Sequence, residues 1–279
     1  MKSLIDQAMQ EVRVLPQNMV DLLHVINDPS ADFEDLAAIV RQDPKLATQT
    51  LHMCNSAYYA FPVEIVSVAH AVKLVGLKTV AGLAMAAYFQ GLLESRGASG
   101  DLWLHDAKNH IMTVAHLAEY FTRNTGVNES PGTAFTGGLL HDIGKLVFAQ
   151  LPPEAAKAIH RLTDASGLSL LEAEQAELET DHAAVGSRLA DLWDVPIMIS
   201  DAVRYHHRPM ESEYLLTLIV HISNEMAHYV TADTWQDRPC RIVPEALDEL
   251  GLTEEEVNTL ATAWATGEKG QARYQLREA

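Results

Sequence analysis

Apolar residues recur at helical spacing along nearly the whole chain, and this pattern restricts the fold more than any other feature of the sequence. Residues 17–27 (QNMVDLLHVIN) show it clearly, since their apolar side chains recur every three or four positions. These side chains are Met19, Leu22, Leu23 and Ile26. We find no convincing run of alternating polar and apolar residues, which is the pattern of a half-buried strand. The sequence therefore predicts an all-α protein of roughly a dozen helices.

Residues that start and stop helices stand between these apolar segments. Asp32, with Asp35 three positions later, predicts the start of the helix DFEDLAAIVRQ. Pro44 is suited to the first turn of the next helix, which continues through KLATQTLHMCN. The apolar stretch 67–93 contains Gly76 and is predicted to split into two helices around LVGLKTV.

A polar interval rich in Gly and Ser, ESRGASGD at 94–101, interrupts the apolar pattern. Because strongly apolar helices flank it, we favour a loop between two helical lobes that share an interface over a free linker. Beyond residue 244, the segment PEALDELGLTEEEVNTLATAWATGEKG predicts two short helices. Thr253 is the expected N-cap of the second, and Glu256 completes its capping box.

Composition and charge restrict the location and the partners. The formal net charge of −18 argues against non-specific binding of nucleic acid, which usually needs a basic patch. Cys54 and Cys240 are too few and too distant to suggest a disulfide framework. The N-terminus lacks the apolar core of a signal peptide, and the longest apolar stretch, 80–89, is about half the roughly 20 residues of a membrane span. We expect a cytoplasmic protein with no nucleic-acid or membrane partner.

The 13 histidines are numerous for this length, and the first of interest lie on apolar helical segments. His110 shares a helical stripe with Val114 and Leu117, so its imidazole is predicted to point toward the core. His141 and Asp142 stand together inside an apolar segment, FTGGLLHDIGKLVF, which is predicted to be helical. Burial of an ionisable pair among apolar side chains costs free energy unless a partner group compensates its charge.

Further histidines follow at or near helix ends. His182 begins an amphipathic helix, DHAAVGSRLADLW, for which Thr180 or Asp181 is the predicted cap. The doublet His206-His207 ends the segment DAVRYHHRP. In the next helix, Asn224 follows His221 by one turn.

Buried imidazoles and carboxylates on converging helices are what a metal site in a helical bundle requires. A mixed set of nitrogen and oxygen ligands suits Fe, Mn or Zn better than Ca, which prefers oxygen ligands alone. A single histidine on an apolar face is more often an ordinary core residue with satisfied hydrogen bonds. The metal interpretation therefore requires that these helices converge, which spacing along the sequence cannot establish.

Several separated motifs occur in the order found in a known family. HxxxVA from 110, HD followed by IGK, HAAVG at 182 and YHH at 205 resemble the HD superfamily of metal-dependent phosphohydrolases. The N-terminal half, with its DP, NSAYY and AxxxxG signatures, is similar to the HDOD domain. The resemblance covers about residues 12–230. It divides them into an N-terminal helical lobe, 12–95, and an HD-like metal-site lobe, 101–230, and leaves 231–279 as a C-terminal helical extension.

The resemblance implies a set of metal ligands and a dinuclear arrangement. His110, His141 and Asp142 match ligands of the first metal, and Asp142 would bridge to a second. The second metal would be completed by His182, His206 and His207. Asn224 stands where active members have an aspartate, and an amide offers an oxygen without a charge. The GYP triplet of cyclic-di-GMP phosphodiesterases is also missing, since HHRPMESE follows the doublet.

Two main functions and one weaker alternative remain open at this stage. The first is a signalling or regulatory HDOD module with protein partners, an HD-type metal site, and weak or no hydrolase activity. The second is a metal-dependent phosphohydrolase acting on a nucleotide or another phosphate ester, with Asp142 and Lys145 as candidate catalytic residues. The weaker one is a helical scaffold without metal. Lys145 could alternatively pair with Asp142 or extend into solvent.

Other residues have weaker assignments. Asp106 lies one turn before His110 and is more suited to an exposed helix start than to a metal. Asn55 belongs to a polar and aromatic patch with Ser56, Tyr58 and Tyr59, for which the alternative is a helix end capped by the asparagine. Gly137-Gly138 is expected to allow close helix packing.

Overall fold

The computed structural model describes residues 2–12, 14–56, 58–59, 61–95, 102–124, 127–231 and 242–265. These residues form α-helices and one 3₁₀ turn, with no strand, which confirms the all-α prediction. The helices are α1 Lys2–Val12, α2 Gln17–Asn27, α3 Phe33–Arg41, α4 Pro44–Cys54, α5 Val68–Val75, α6 Leu77–Ser95, α7 Leu102–Asn124, α8 Pro131–Leu140, α9 Gly144–Phe148, α10 Pro153–Ser166, α11 Leu170–Leu178, α12 His182–Leu192, α13 Ile197–Tyr205, α14 Leu215–Thr231, α15 Pro244–Leu250 and α16 Glu254–Ala265, and the 3₁₀ turn is Pro209–Glu211.

The predicted helix boundaries in the N-terminal lobe follow from local chemistry. The Asp32 side chain accepts from the backbone N–H groups of Glu34 and Asp35, while the Asp35 carboxylate accepts from Asp32 N–H, which completes a capping box. Asp43 caps α4, with Pro44 in its first turn. Gly76 separates α5 from α6 at a φ of 102°, a left-handed conformation that favours glycine.

The two lobes share an interface in which α6 packs against α8. Close approach is possible because a Cβ added to Gly132 would lie 2.3 Å from Lys78 Cβ, and one added to Gly82 would lie 2.7 Å from Phe135 Cδ1. Polar contacts cross the same interface, since the Thr79 hydroxyl donates to the Glu119 carboxylate at 3.2 Å. The predicted pair of lobes with a common interface is thus confirmed.

The C-terminal lobe is organised around the packing of α7, α8 and α14. A Cβ added to Gly138 would lie 2.7 Å from Ala115 Cα, which confirms the predicted role of this glycine in close helix packing. In the tail, α15 and α16 pack on α14. The predicted capping box at Thr253 is present, with reciprocal hydrogen bonds to Glu256. Within the described residues, no helix combines the length and the apolar character needed to cross a membrane.

The HD pair lies at a break between two helices rather than inside one. The hydrogen bonds from Ile143 N to Leu140 O and from Lys145 N to Asp142 O span three residues each, at 2.9 Å, so α8 tightens into a turn before α9 begins. The expectation of a helical HD segment is therefore corrected, and the apolar periodicity that suggested it continues through the turn. The turn directs both side chains into the lobe interior.

Candidate metal centre

The residues predicted as metal ligands converge in the C-terminal lobe although five elements supply them. His110 comes from α7, His141 and Asp142 from the turn after α8, and His182 from the first residue of α12. His206 and His207 follow α13, and Asn224 lies on α14. All are buried except His207, which is partly buried.

Their donor atoms form two adjacent groups. We call His110, His141, Asp142 and Asn224 cluster A, and His182, His206 and His207 cluster B. The ligand atoms of the three titratable residues of cluster A lie within 4.8 Å of one another, and so do those of cluster B. The convergence that the metal interpretation requires is therefore present in the structure.

Asp142 lies between the two clusters and directs one oxygen toward each. Its Oδ2 lies 3.2 Å from His141 Nε2 and 3.9 Å from His110 Nε2. Its Oδ1 lies 3.3 Å from His182 Nε2 and 4.0 Å from His206 Nε2. The arrangement is the one expected of a carboxylate that bridges two cations.

Lys145 contacts the same carboxylate. Its Nζ lies 2.6 Å from Asp142 Oδ2. Burial opposes ionisation of Asp142, but His141, Lys145 and His182 outweigh it and hold the pKa of Asp142 well below its usual range. Of the alternatives for Lys145, the structure shows the ion pair.

Two histidines present buried nitrogen lone pairs to the centre. His141 Nδ1 lies 2.7 Å from Gly138 O and His206 Nδ1 lies 2.8 Å from Val203 O. A carbonyl oxygen only accepts, so each Nδ1 carries a hydrogen, and in the neutral form of either ring the Nε2 atom offers its lone pair to a cation. Both Nε2 atoms are buried without a hydrogen-bond partner in the described part of the chain.

Burial favours the neutral form of two histidines of cluster B, His206 and His207. It is the largest cause that lowers the pKa of His206 well below its usual value, with His207 and His141 adding to the effect. Burial and the neighbouring His182 lower the pKa of His207 to about 2. Neutral imidazole is the form that binds transition metals.

Cluster A contains an internal hydrogen bond. His110 Nε2 lies 2.9 Å from Asn224 Oδ1, and because the amide oxygen only accepts, His110 is the donor. The His228 ring stacks on His110 with ring centroids 4.3 Å apart. Burial is also the first cause that lowers the pKa of His110 well below its usual value.

Glu174 is a site residue that the sequence reasoning missed. It is completely buried on α11, and its Oε2 lies 2.6 Å from His182 Nδ1 and 2.9 Å from the backbone N of His182. Its place on the apolar face of α11, four residues before Leu178, is the only signal of burial in the sequence. Nothing in the spacing links it to His182.

Other predicted residues have structural roles or cannot be placed. Asp181, not Thr180, caps α12 by accepting from Ala184 N–H at 2.8 Å. The Asn55 amide donates to Ile65 O at 2.8 Å and its oxygen accepts from Ile65 N–H at 2.7 Å, so it joins the end of α4 to the following loop. The side chain of Asp106 lies outside the described residues.

The donor set fits a divalent transition cation. Neutral imidazole nitrogens with a carboxylate oxygen are ligands that Fe, Mn and Zn accept. A hydrogen-bond donor or a cation would satisfy the unpartnered Nε2 atoms of His141 and His206, since a buried acceptor without a partner costs about 1–3 kcal/mol. A cation between the histidines and Asp142 would satisfy both.

The fold agrees with comparison to known proteins. A family model described as the HDOD domain matches residues 12–209, so the chain belongs to the HDOD family. The HDOD prediction made from the motifs is confirmed. The match ends before residue 230, the limit that we expected for the domain, and the domain boundaries remain predictions.

Solved structures share the fold. An HDOD domain protein of unknown function from Geobacter sulfurreducens has a TM-score of 0.75 at 21% identity, covering 99% of this chain and 98% of its own. A candidate phosphohydrolase from Shewanella amazonensis SB2B has a TM-score of 0.73 at 22% identity, with 98% of each chain covered. A protein from Marinobacter aquaeolei VT8, assigned provisionally to signal transduction, has a TM-score of 0.75 at 23% identity, covering 95% of this chain and 60% of its own.

Curated relatives are longer than this chain. An uncharacterised protein of Treponema pallidum is 25% identical over 252 residues, which are 87% of this chain and 46% of that protein. Ribonuclease Y 1 of Pediococcus pentosaceus is 27% identical over 119 residues, which are 43% of this chain and 17% of that enzyme. The chain thus spans less than half the length of these relatives.

Proposed function

We propose that this protein is a regulatory HDOD module of signal transduction, whose metal-site lobe holds a divalent transition cation and has weak or no hydrolase activity. The observation that carries the metal part is the placement of two buried Nε2 atoms beside Asp142, with that of His141 3.2 Å from Oδ2 and that of His206 4.0 Å from Oδ1. Fe, Mn or Zn is the expected cation, in one or two positions.

The residues around the cation favour a structural or sensing role over rapid catalysis. When bound, such a cation activates water and polarises a phosphoryl oxygen. Here Lys145 Nζ already pairs with Asp142 Oδ2 at 2.6 Å, and the fourth ligand of cluster A is the oxygen of a neutral amide, that of Asn224. Both features reduce the negative charge available to hold and orient a cation in cluster A.

The regulatory part of the proposal is supported by the family and by the named role of one relative. The Marinobacter aquaeolei protein, which shares this fold, is assigned provisionally to signal transduction. We propose protein partners in the cytoplasm and no nucleic-acid partner, in keeping with the net charge of −18. A nucleotide or phosphate ligand near Lys145 is compatible with the partly exposed side chain of that residue.

The alternative function is a metal-dependent phosphohydrolase acting on a nucleotide or another phosphate ester. The observation that favours it is the ligand set itself, because both clusters and the bridging Asp142 are present. In that function Asp142 and Lys145 would be the residues nearest the reacting phosphate. A structural relative from Shewanella amazonensis SB2B is named as a candidate metal-dependent phosphohydrolase, with a TM-score of 0.61 at 16% identity.

Metal analysis combined with a substrate panel distinguishes these functions. The protein is purified without chelator, its metal content is measured, and phosphodiesters, nucleotides and a short RNA are offered with added Mn or Fe. We expect bound metal and little turnover. Turnover that is lost in both His141→Ala and Asp142→Ala would establish the phosphohydrolase, and a protein that binds no cation would overturn both functions.

A partner experiment tests the regulatory half. The full chain, metal-loaded or metal-free, is used as bait for proteins from the native host, with Asp142→Asn as the matched variant. We expect signalling proteins to be retained by the loaded wild type more than by Asp142→Asn. Equal recovery of the same proteins on all three baits would count against a role of the cation in regulation.

A further inference from the structure

The geometry points to cluster B as the main cation site of this chain, with Glu174 as the buried carboxylate that positions its ligand His182 and supplies it with negative charge. This inference rests on the proposed function, because it assigns to one cluster the cation that the function requires. Family motifs alone would place the first metal in cluster A. Three contacts reverse that order.

The first contact gives cluster B an oriented, charged ligand. Glu174 Oε2 accepts from His182 Nδ1 at 2.6 Å, so His182 Nε2 keeps its lone pair and lies 3.3 Å from Asp142 Oδ1. This lone pair accepts a hydrogen bond from Nε2 of the partly buried His207, 2.9 Å away. A carboxylate behind a ligating histidine fixes its tautomer and strengthens its donor nitrogen. His206 is fixed likewise, by Val203 O.

The second contact leaves His110 of cluster A without this preparation, although His141 is fixed by Gly138 O as His206 is by Val203 O. His110 Nε2 carries its hydrogen because it donates to Asn224 Oδ1 at 2.9 Å. To bind a cation through Nε2, the ring must move that hydrogen to Nδ1, which is buried with no hydrogen-bond partner among the described residues. An unpaired buried N–H is costly, so cation binding at His110 is opposed.

The third contact divides the charge of Asp142 unequally. Lys145 Nζ pairs with Oδ2, the oxygen that faces cluster A, at 2.6 Å. The other oxygen, Oδ1, faces His182 and His206 of cluster B. Cluster A therefore has a neutralised carboxylate oxygen and a neutral amide, while cluster B has a free carboxylate oxygen and the second carboxylate of Glu174 behind it.

Burial makes the Glu174 charge effective. The residue is completely buried, and its second oxygen, Oε1, has no hydrogen-bond partner in the described part of the chain. A buried negative charge satisfied on one oxygen only is stabilised by a nearby cation. The contact of Glu174 with the backbone N–H of His182 also fixes the start of α12, so a purely structural role must be separated by experiment.

Cobalt titration of the metal-free protein provides this separation. Co²⁺ bound by histidine nitrogens is followed by its visible absorption bands, and bound equivalents by equilibrium dialysis. We expect wild type to bind about one equivalent tightly. Glu174→Gln keeps the shape and an oxygen acceptor but removes the charge, and it should weaken Co²⁺ binding by roughly 10–100-fold with altered bands.

Glu177→Gln is the matched control, because it removes the same charge from the same helix at a partly buried position. It should leave Co²⁺ affinity and spectrum unchanged. If Glu174→Gln binds Co²⁺ like wild type while its circular dichroism is unchanged, the carboxylate serves only the start of α12 and the inference is overturned.

Ligand variants locate the cation. His110→Ala should retain the tight equivalent and His206→Ala should lose it, whereas Asn224→Asp should add a second equivalent. Loss of the cation in His110→Ala with retention in His206→Ala would place the main site in cluster A and overturn the inference. Since His206→Ala removes a buried ring, its fold is checked by circular dichroism. If this variant fails to fold, Co²⁺ binding by the isosteric Glu174→Gln decides whether cluster B holds the cation.

Loss of the proposed function and loss of the assignment to cluster B would give different metal-binding results. If wild type binds no Co²⁺, Mn²⁺ or Zn²⁺, the proposed function itself is overturned. If wild type binds a cation that depends on His110 and not on Glu174, the function stands and only the assignment to cluster B is wrong.

Discussion

The N-terminal lobe and the metal-site lobe bury polar groups in contrasting ways. In the N-terminal lobe the polar residues described as buried, Thr50 and Thr79, are neutral, and the Thr50 hydroxyl donates to Leu46 O at 2.7 Å. The buried atoms there that lack a partner within the described part of the chain, Asn18 Oδ1 and Tyr59 OH, belong to uncharged side chains. In the metal-site lobe, Asp142 and Glu174 are buried carboxylates, and the Nε2 atoms of His141 and His206 have no partner in the described residues.

This difference separates what holds the fold from what forms the site. Apolar packing, as in α6, suffices for the N-terminal lobe, because it buries few groups that require compensation. The metal-site lobe buries charges and lone pairs that a helical core alone leaves uncompensated. We therefore expect a cation to stabilise the second lobe and to have little direct effect on the first.

The largest expected effect comes from the core of the N-terminal lobe. Leu22 is completely buried on α2, so Leu22→Ala should lower the free energy of unfolding by about 2–5 kcal/mol, measured by urea denaturation. Co²⁺ stoichiometry under native conditions should be unchanged. The exposed Val14→Ala is the control and should change stability by less than about 0.5 kcal/mol. Loss of Co²⁺ binding in folded Leu22→Ala would show that the lobes are not separable in this way.

Metal removal should be the next largest effect. A cation present at 100 times its dissociation constant adds about 2.7 kcal/mol to the free energy of unfolding. Chelation should therefore lower the melting temperature by about 5–10 °C, measured by differential scanning calorimetry. Addition of Zn²⁺ after the chelator is removed is the control and should restore the transition. An unchanged melting temperature in protein shown to have lost its metal would contradict the difference between the lobes.

Lys145→Met tests how the charges of the site are balanced. Without a cation, the variant leaves Asp142 Oδ2 without its ammonium partner at 2.6 Å and should cost about 1–3 kcal/mol of unfolding free energy. With saturating Zn²⁺ the cost should be smaller, because the cation compensates the same carboxylate. Denaturation of wild type and variant, each with and without Zn²⁺, measures this coupling. Equal costs in both conditions would mean that the cation does not approach Asp142.

The smallest expected effect is on Cys54. This thiol is completely buried in the N-terminal lobe, and burial raises its pKa to about 12. In a Cys240→Ser background, iodoacetamide at pH 8 should leave Cys54 unlabelled, before and after chelation, and label it only in urea. Mass spectrometry measures the labelled fraction. Rapid labelling after chelation alone would show that the N-terminal lobe also depends on the cation.

Helix boundaries were predictable from the sequence because capping is local. Asp32, Gly76 and Thr253 each determine a helix end through contacts within a few residues, and all three lie where expected. The HD pair was placed wrongly inside a helix, because apolar residues continue through the turn at 141–143 and conceal it.

The site was only partly predictable. Motif order identified the histidines of both clusters, but their convergence depends on tertiary packing that the sequence pattern does not encode. A Cβ added to Gly144 would lie 1.9 Å from His182 O, so this glycine lets the HD turn approach α12. Glu174 was missed for the same reason, since it lies on a separate helix and reaches His182 through the fold.

The most direct test of the account is an anomalous-scattering map from crystals of protein purified without chelator and supplied with Zn²⁺, recorded on both sides of the zinc edge. We expect a peak about 2.0–2.1 Å from nitrogen atoms of His182, His206 and His207, beside Asp142 Oδ1. A peak bound only by cluster A would contradict the assignment to cluster B. No peak near either cluster, in crystals that contain zinc elsewhere, would contradict the metal centre itself.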